Sequence, residues 1–261
     1  MVIIDQPQLA GFRVREAYFA TADQVWQLAE DLPPLTTVRA RQAGELTRHH
    51  RHQIKHNPTT TLVVDLRCDP DEIFGRMSKS TRNLVSQARR TPGVRVSMNE
   101  PRAWDDFLAL HNEFVAEKPF SGPLSRATLN AHVALCDVAV AYLDDDPICG
   151  LVVLRDTTVR RALPVYSATT RLRDEGDYDK RASRLYRYLF WHLMRHYQAA
   201  GFEVFDFGGV SSETESIAQF KRSFGGVPLH EHNYAFAGAL VRFALRVHRL
   251  PAVQALRASF A

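Results

Sequence analysis

Along this chain the apolar positions switch repeatedly between a period of two and a period near 3.6, which reads as strands and helices in alternating order. Residues 12 to 19 predict a strand. Residues 21 to 30 carry Val25, Trp26, Leu28 and Ala29 at helical spacing, with Thr21 placed to cap the helix and Pro33 and Pro34 to end it. Residues 36 to 58 are polar and basic and fit either a loop or a β ribbon. From Thr60 the pattern sharpens. A strand at 61 to 66 precedes Asp69, Pro70 and Glu72, which stand where a helix wants its cap, first-turn proline and capping-box acid. Ile73, Met77, Leu84 and Ala88 then predict the buried face of one helix.

Trp104, Phe107, Leu108, His111, Phe114 and Val115 mark a second amphipathic helix, and Leu129, Val133 and Cys136 a third that runs into a strand at 137 to 143. The Asp144-Asp145-Asp146-Pro147 turn joins that strand to the run 148 to 154, and 159 to 167 pairs next, so residues 137 to 169 read as an antiparallel meander. Leu185, Leu189, His192, Leu193 and His196 form the apolar side of a long helix.

The densest stretch is 205 to 226, FDFGGVSSETESIAQFKRSFGG. Residues 204 to 207 predict a strand, and Gly208 and Gly209 permit a sharp turn, which puts Asp206 at a strand's carboxyl end. Ligands of open α/β sheets gather at that edge, so Asp206 can orient an amine or accept its proton; a solvated turn carboxylate fits the same position. Ser212 and Glu215 fit a capping box, Ile217, Phe220 and Phe224 predict a buried stripe, and Gly225 supplies the stop. Lys221 borders that stripe. Its ammonium can stabilise an oxyanion, although a lysine near a helix C-terminus is also ordinary. With 28 Arg and 5 Lys, arginine is the default cation here, so a lysine is a marked choice.

Composition removes several classes. The 261 residues, 45% hydrophobic and 24% charged, can bury a sizeable core and do not describe a disordered chain. Cys68, Cys136 and Cys149 are too scattered for a disulfide framework or zinc site and read as core fillers in a reducing compartment. No metal site is expected: the patch Arg48, His49, His50, Arg51, His52, Lys55, His56 lacks an acidic ligand, and His192 and His196 lack the acid of HExxH. No signal peptide or membrane-length apolar run is read, so a cytoplasmic location is expected. Residues 239 to 260 form a basic amphipathic tail suited to a lid, an oligomer contact or an anionic membrane surface, so the location is extended to the periphery of the inner membrane.

Read together, Asp206-Phe207-Gly208-Gly209-Val210 and Phe220-Lys221-Arg222-Ser223-Phe224-Gly225-Gly226 resemble the C-terminal signature of the Fem-type aminoacyl transferases and their single-domain relatives, members of the GNAT acyltransferase superfamily. A second match lies about 140 residues upstream, where Thr61-Leu62-Val63-Val64-Asp65-Leu66 precedes Ser78-Lys79-Ser80-Thr81-Arg82-Asn83 and then Gly93-Val94-Arg95-Val96. The resemblance covers roughly residues 60 to 237. It implies an α/β fold with a GNAT-like mixed, largely antiparallel central sheet flanked by helices and a reduced N-terminal extension. The expected domains are an αβ extension at 1–59, an acyltransferase domain at 60–237 and a basic amphipathic helix at 238–261.

The resemblance implies acyl transfer from a thioester, with acyl-CoA as co-substrate and no resident cofactor, to a primary amine such as an amino sugar carried on a nucleotide or lipid for surface polysaccharide. Lys221 and Asp206 are the catalytic candidates. Tyr166 and Ser167 are placed near the acyl chain where strands splay, and Arg181, Ser183 and Arg184 at a helix start that seats the donor's phosphates. The glycine-rich loop of mainstream GNAT enzymes is replaced here by Asp179-Lys180-Arg181-Ala182-Ser183-Arg184. Lys79, Arg82 and Phe220 are candidates for acceptor or phosphate contacts. Two alternatives remain open: aminoacyl transfer from tRNA to a peptidoglycan-type acceptor, and a non-catalytic nucleic-acid-binding module, the latter favoured by a pI near 9.1 and opposed by a net charge of only +4.

Overall fold

The structure, a computed structural model, describes residues 1–7, 11–116, 123–170, 177–210 and 215–248. In chain order the first elements are β1 (Val2–Pro7), β2 (Arg13–Tyr18), α1 (Ala22–Glu30), β3 (Thr36–Ala43), β4 (Gln53–Asp65), α2 (Pro70–Arg76), α3 (Lys79–Arg90), β5 (Val94–Met98) and α4 (Pro101–Ala116). Then come α5 (Arg126–Asn130), β6 (Cys136–Leu143), β7 (Asp146–Asp156), β8 (Arg161–Thr169), α6 (Asp177–Ala199), β9 (Val204–Val210), α7 (Glu215–Arg222), β10 (Val227–Ala237) and α8 (Ala239–His248). The chain divides into two compact units, residues 1–59 with 230–261 and residues 60–229, so the division falls inside β4 and inside β10.

In the first unit the strand order is β1-β2-β3-β10 followed by the start of β4. Thr21 caps α1 as expected, in a reciprocal box with Gln24. That helix links β2 to β3, which pair in parallel. The basic stretch 36 to 58 resolves into β3 and the start of β4, and β10 intervenes between them, so no ribbon hairpin forms. His50 is buried, bonded to Glu30 and set edge-on to Trp26, while His56 bonds His232 and stacks on Tyr234. These histidines pack; among the described residues no group of three or more His, Cys, Asp or Glu could hold a metal ion.

The second unit has strand order β4-β9-β8-β7-β6-β5, antiparallel except where β8 meets β9. The meander is β6-β7-β8, read correctly from its turns. Adjacent strand residues face opposite sides, and Tyr166 lies against His111 of α4 while Ser167 hydrogen-bonds Tyr186 of α6. Helices α4 and α6 therefore cover opposite faces. The core on the α6 side joins Phe205 and Phe207 to Phe190, Phe220 and Phe224 in a continuous aromatic cluster.

Three sequence expectations fail here. The single helix expected after Asp69 is two, because Ser78 adopts extended backbone and caps a fresh start, its hydroxyl accepting from the Thr81 N–H. The glycines after Phe207 do not turn the chain: β9 continues to Val210, with Gly208 at φ +75° absorbing a register shift against β4. Asp206 is thus in the middle of a strand. Ile217 is 49% exposed, and Ala218 takes the buried position expected of it. Ser212 of the expected capping box and the tail beyond His248 lie outside the described residues.

Candidate active site

Strands β8 and β9 are the two arms of a β–α–β crossover through α6, and they pair only as Arg161 with Val204 and Ala162 with Phe205. Beyond those pairs the ladder ends and the arms splay. Because the strands are parallel, the opening lies at their carboxyl ends, the edge at which α6 begins. A helix start there offers unbonded N–H groups and a positive dipole to an anion.

At the root of the splay a buried ion pair ties the arms together. Arg161 donates to Asp206 Oδ2 from Nε at 3.0 Å and from Nη2 at 2.5 Å, and Asp206, 0% exposed, also accepts the Gly208 N–H on Oδ1 at 2.7 Å. Phe205 and Phe207 occupy the α6 side, so Asp206 points to the α4 face. Cross-strand partners Asp156, Leu154 and Val152 put Arg161, Leu163 and Tyr166 on that same face. The carboxylate is thus engaged on both oxygens, by a guanidinium on one and a backbone N–H on the other. Sequence reading missed Arg161, although an arginine inside an otherwise apolar strand, RALPV, was a visible signal.

Lys221, on α7, donates from Nζ to Gly209 O at 2.6 Å and lies beside Gly208. Partial burial pushes its ammonium below the ordinary lysine value, while the Asp206 carboxylate pulls it back up. The lysine and the carboxylate are thus brought to one stretch of β9, one by its side chain and one by its backbone neighbours.

The other expected residues separate. Tyr166 shares the face of Asp206 and stands edge-on to both His111 and His132, at ring-centre distances of 5.9 and 5.4 Å. Ser167 faces the other side, bonded to Tyr186, whose hydroxyl is pushed up to about 12 by burial. Helix α6 begins at Asp177, a turn earlier than expected, so Arg181, Ser183 and Arg184 sit in its second turn. Ser183 accepts from Arg187 there, and the Arg184 Nε is buried with no hydrogen-bond partner among the described residues. Arg82 donates to the carbonyls of Gly75 and Met77, which fixes the link between α2 and α3. Lys79 is exposed in the first turn of α3, and Phe220 stacks on Tyr186 with Arg187 over its ring.

The two sequence motifs meet through serine and threonine. Thr81 donates its hydroxyl to Ser223 Oγ at 2.8 Å, and the Ser78 N–H donates to Ser223 O at 2.8 Å, locking the start of α3 to the end of α7. Gly225 follows at φ +80°, and a Cβ there would stand 2.9 Å from Arg76 Cβ and 3.0 Å from Arg76 O. Gly225→Ala is expected to cost about 2 kcal/mol or more, from left-handed strain plus the backbone shift, read as a lowered midpoint in urea unfolding.

A parallel splay fed by a crossover helix thus interrupts a mainly antiparallel sheet. The chain belongs to the GNAT acetyltransferase-domain family, whose model matches residues 75–222. Solved structures share the fold. FemX superposes with a TM-score of 0.61 at 10% identity, covering 93% of this chain and 85% of that one. L-PGS from Bacillus licheniformis gives 0.57 at 11% identity, covering 90% and 80%. The C-terminal DUF2156 domain of a protein from Agrobacterium fabrum gives 0.57 at 18% identity, covering 94% and 83%. The likeness thus extends beyond residues 60 to 237, to which the motifs point. No curated protein matches the chain. The fold is GNAT-like, and the family supports acyl transfer.

Proposed function

We propose that the chain is an N-acyltransferase that moves an acyl group from acyl-CoA to a primary amine, with an amino sugar carried on a nucleotide or lipid as acceptor. The observation that carries this reading is the splay of β8 and β9 over the amino end of α6, with Lys221 beside the opening. The domain boundaries proposed are those of the sequence reading, 1–59, 60–237 and 238–261. The thioester lies along the splay past Tyr166, and its phosphates meet the amino end of α6, with Arg181, Ser183 and Arg184 of the second turn on the donor side. Lys79, Arg82 and Phe220 border the acceptor side. The neutral amine attacks the carbonyl carbon, a C–N bond forms, and the C–S bond breaks as the thiolate leaves. Lys221 stabilises the intermediate oxyanion, the amine's proton passes to water, and the thiolate takes up a proton as free CoA. Asp206, already held by three donated hydrogen bonds, positions Gly208 and offsets the burial of Lys221.

This assignment has a pH signature. The cation is the working form of Lys221, and it is lost as pH rises through a value that burial has lowered. The alkaline limb of kcat is therefore expected below the ordinary lysine range near about 10.4, and Lys221→Ala should lack that limb. Thermal unfolding tests the donor. CoA at about 100 times its Kd is expected to stabilise the native chain by about 2.7 kcal/mol, against no shift with charged or uncharged tRNA. A shift with tRNA alone would move the reading to aminoacyl transfer. A protein resident in the cytoplasm and resting on the inner membrane through α8 fits a lipid-carried acceptor; no described helix is long and apolar enough to cross a membrane.

A further inference from the structure

The first unit contains a cleft of about 950 Å³ onto which Arg39, Arg41, Arg51, Lys55, Arg242 and Arg246 converge, and among the described residues no Asp or Glu lines it. Some of this charge is met from outside the cleft: Glu16 lies 3.6 Å from Arg39 and 3.3 Å from Arg41, and Glu30 lies 2.8 Å from Arg51. Lys55, Arg242 and Arg246 have no ion-pair partner among the described residues. Gathering cations around one concavity raises its potential, and an anion entering it relieves the repulsion.

The walls are also apolar. Ile54, Val241 and Leu245 line the cleft, with Ile54 and Leu245 exposed. On its remaining side α8 leaves Leu240 and Phe243 exposed, Phe243 by 66%. A nucleic acid would need open aromatic faces on which bases stack. Among the described residues the one aromatic side chain of the cleft is Tyr234, which is 3% exposed, with its ring packed on His56 and Phe236. Nor does the chain after α8 suit the site, because residues 249–261 contain Arg249 and Arg257 and no acidic side chain. Cations beside exposed aliphatic surface match a phosphate-bearing amphiphile.

We propose that this cleft seats the phosphate headgroup of an anionic phospholipid at a bilayer surface, with the glycerol and upper acyl carbons along Ile54 and Leu245. The inference deepens the membrane contact proposed above and rests on it, while standing apart from the acyl-transfer chemistry.

Flotation of the full chain with phosphatidylcholine vesicles, alone or mixed with phosphatidylglycerol, tests the contact, and titration with soluble short-chain phosphatidylglycerol tests the seat. Binding is expected to the mixed vesicles only and to the short-chain lipid. Lys55→Gln combined with Arg246→Gln should weaken both by about 30-fold, at one surface charge each, with an unchanged melting curve. Phe243→Ser should weaken flotation and leave the short-chain titration unchanged. Flotation without short-chain binding would overturn the seat and keep the contact. Equal binding to both vesicle types, or an anionic preference that survives the double substitution, would overturn the seat and keep the contact, and flotation with neither vesicle type would overturn both. A single-stranded RNA oligomer that binds more tightly than the mixed vesicles at the same salt would reassign the cleft to nucleic acid.

Discussion

Lys221→Ala is expected to lower kcat by about 10²- to 10³-fold, the scale of removing one donor from an oxyanion site, with the melting temperature nearly unchanged. The lysine stands on the half-buried border of α7 and bonds Gly209 O, on an exposed residue of β9. Its loss thus removes a cation from the opening and little packing. Lys221→Arg should not restore the rate, because a planar fork cannot place a compact charge at the same point. Full turnover in Lys221→Ala, at unchanged KM, would remove the lysine from the mechanism.

Arg161→Ala is expected to destabilise the fold by about 3–5 kcal/mol, since it removes the guanidinium that is ion-paired with the fully buried Asp206 carboxylate. For a unit of this size that is a fall in Tm of about 10 °C. Arg161→Met paired with Asp206→Leu should recover most of the loss, because a buried ion pair replaced by apolar groups of similar volume is often neutral. The double variant separates two roles. If it folds and turns over normally, the ion pair is a structural rivet between β8 and β9; if it folds and is slow, the carboxylate also sets the charge of Lys221. A Tm unchanged by Arg161→Ala would mean that Asp206 is neutralised by other means.

Much of the second unit was legible because its signals are local. The meander announces itself by a run of aspartates between apolar stretches, and α7 by the spacing of Phe220 and Phe224 before Gly225. The failures are tertiary. Gly208 allows a turn or a bulge equally well, and pairing with β4 decides for the bulge. Ser78 reads as a mid-helix serine until Ser223, far along the chain, accepts its N–H. In the basic stretch 36 to 58, the strand that separates β3 from β4 comes from beyond residue 226, which no window-based reading reaches. At the site, the Lys221 and Asp206 motifs were visible, while Arg161 was not, because its meaning depends on a partner 45 residues away.

The most direct test of acyl transfer is thiol release from acetyl-CoA by the purified full chain across a panel of amino-sugar nucleotides, with hydroxyl analogues of the same sugars as controls. Release that depends on the amine, yields the N-acyl product by mass and disappears in Lys221→Ala is the expected result. Thiol release equal for amine and hydroxyl compounds, or an N-acyl product formed as fast by Lys221→Ala as by the unaltered chain, would contradict the account.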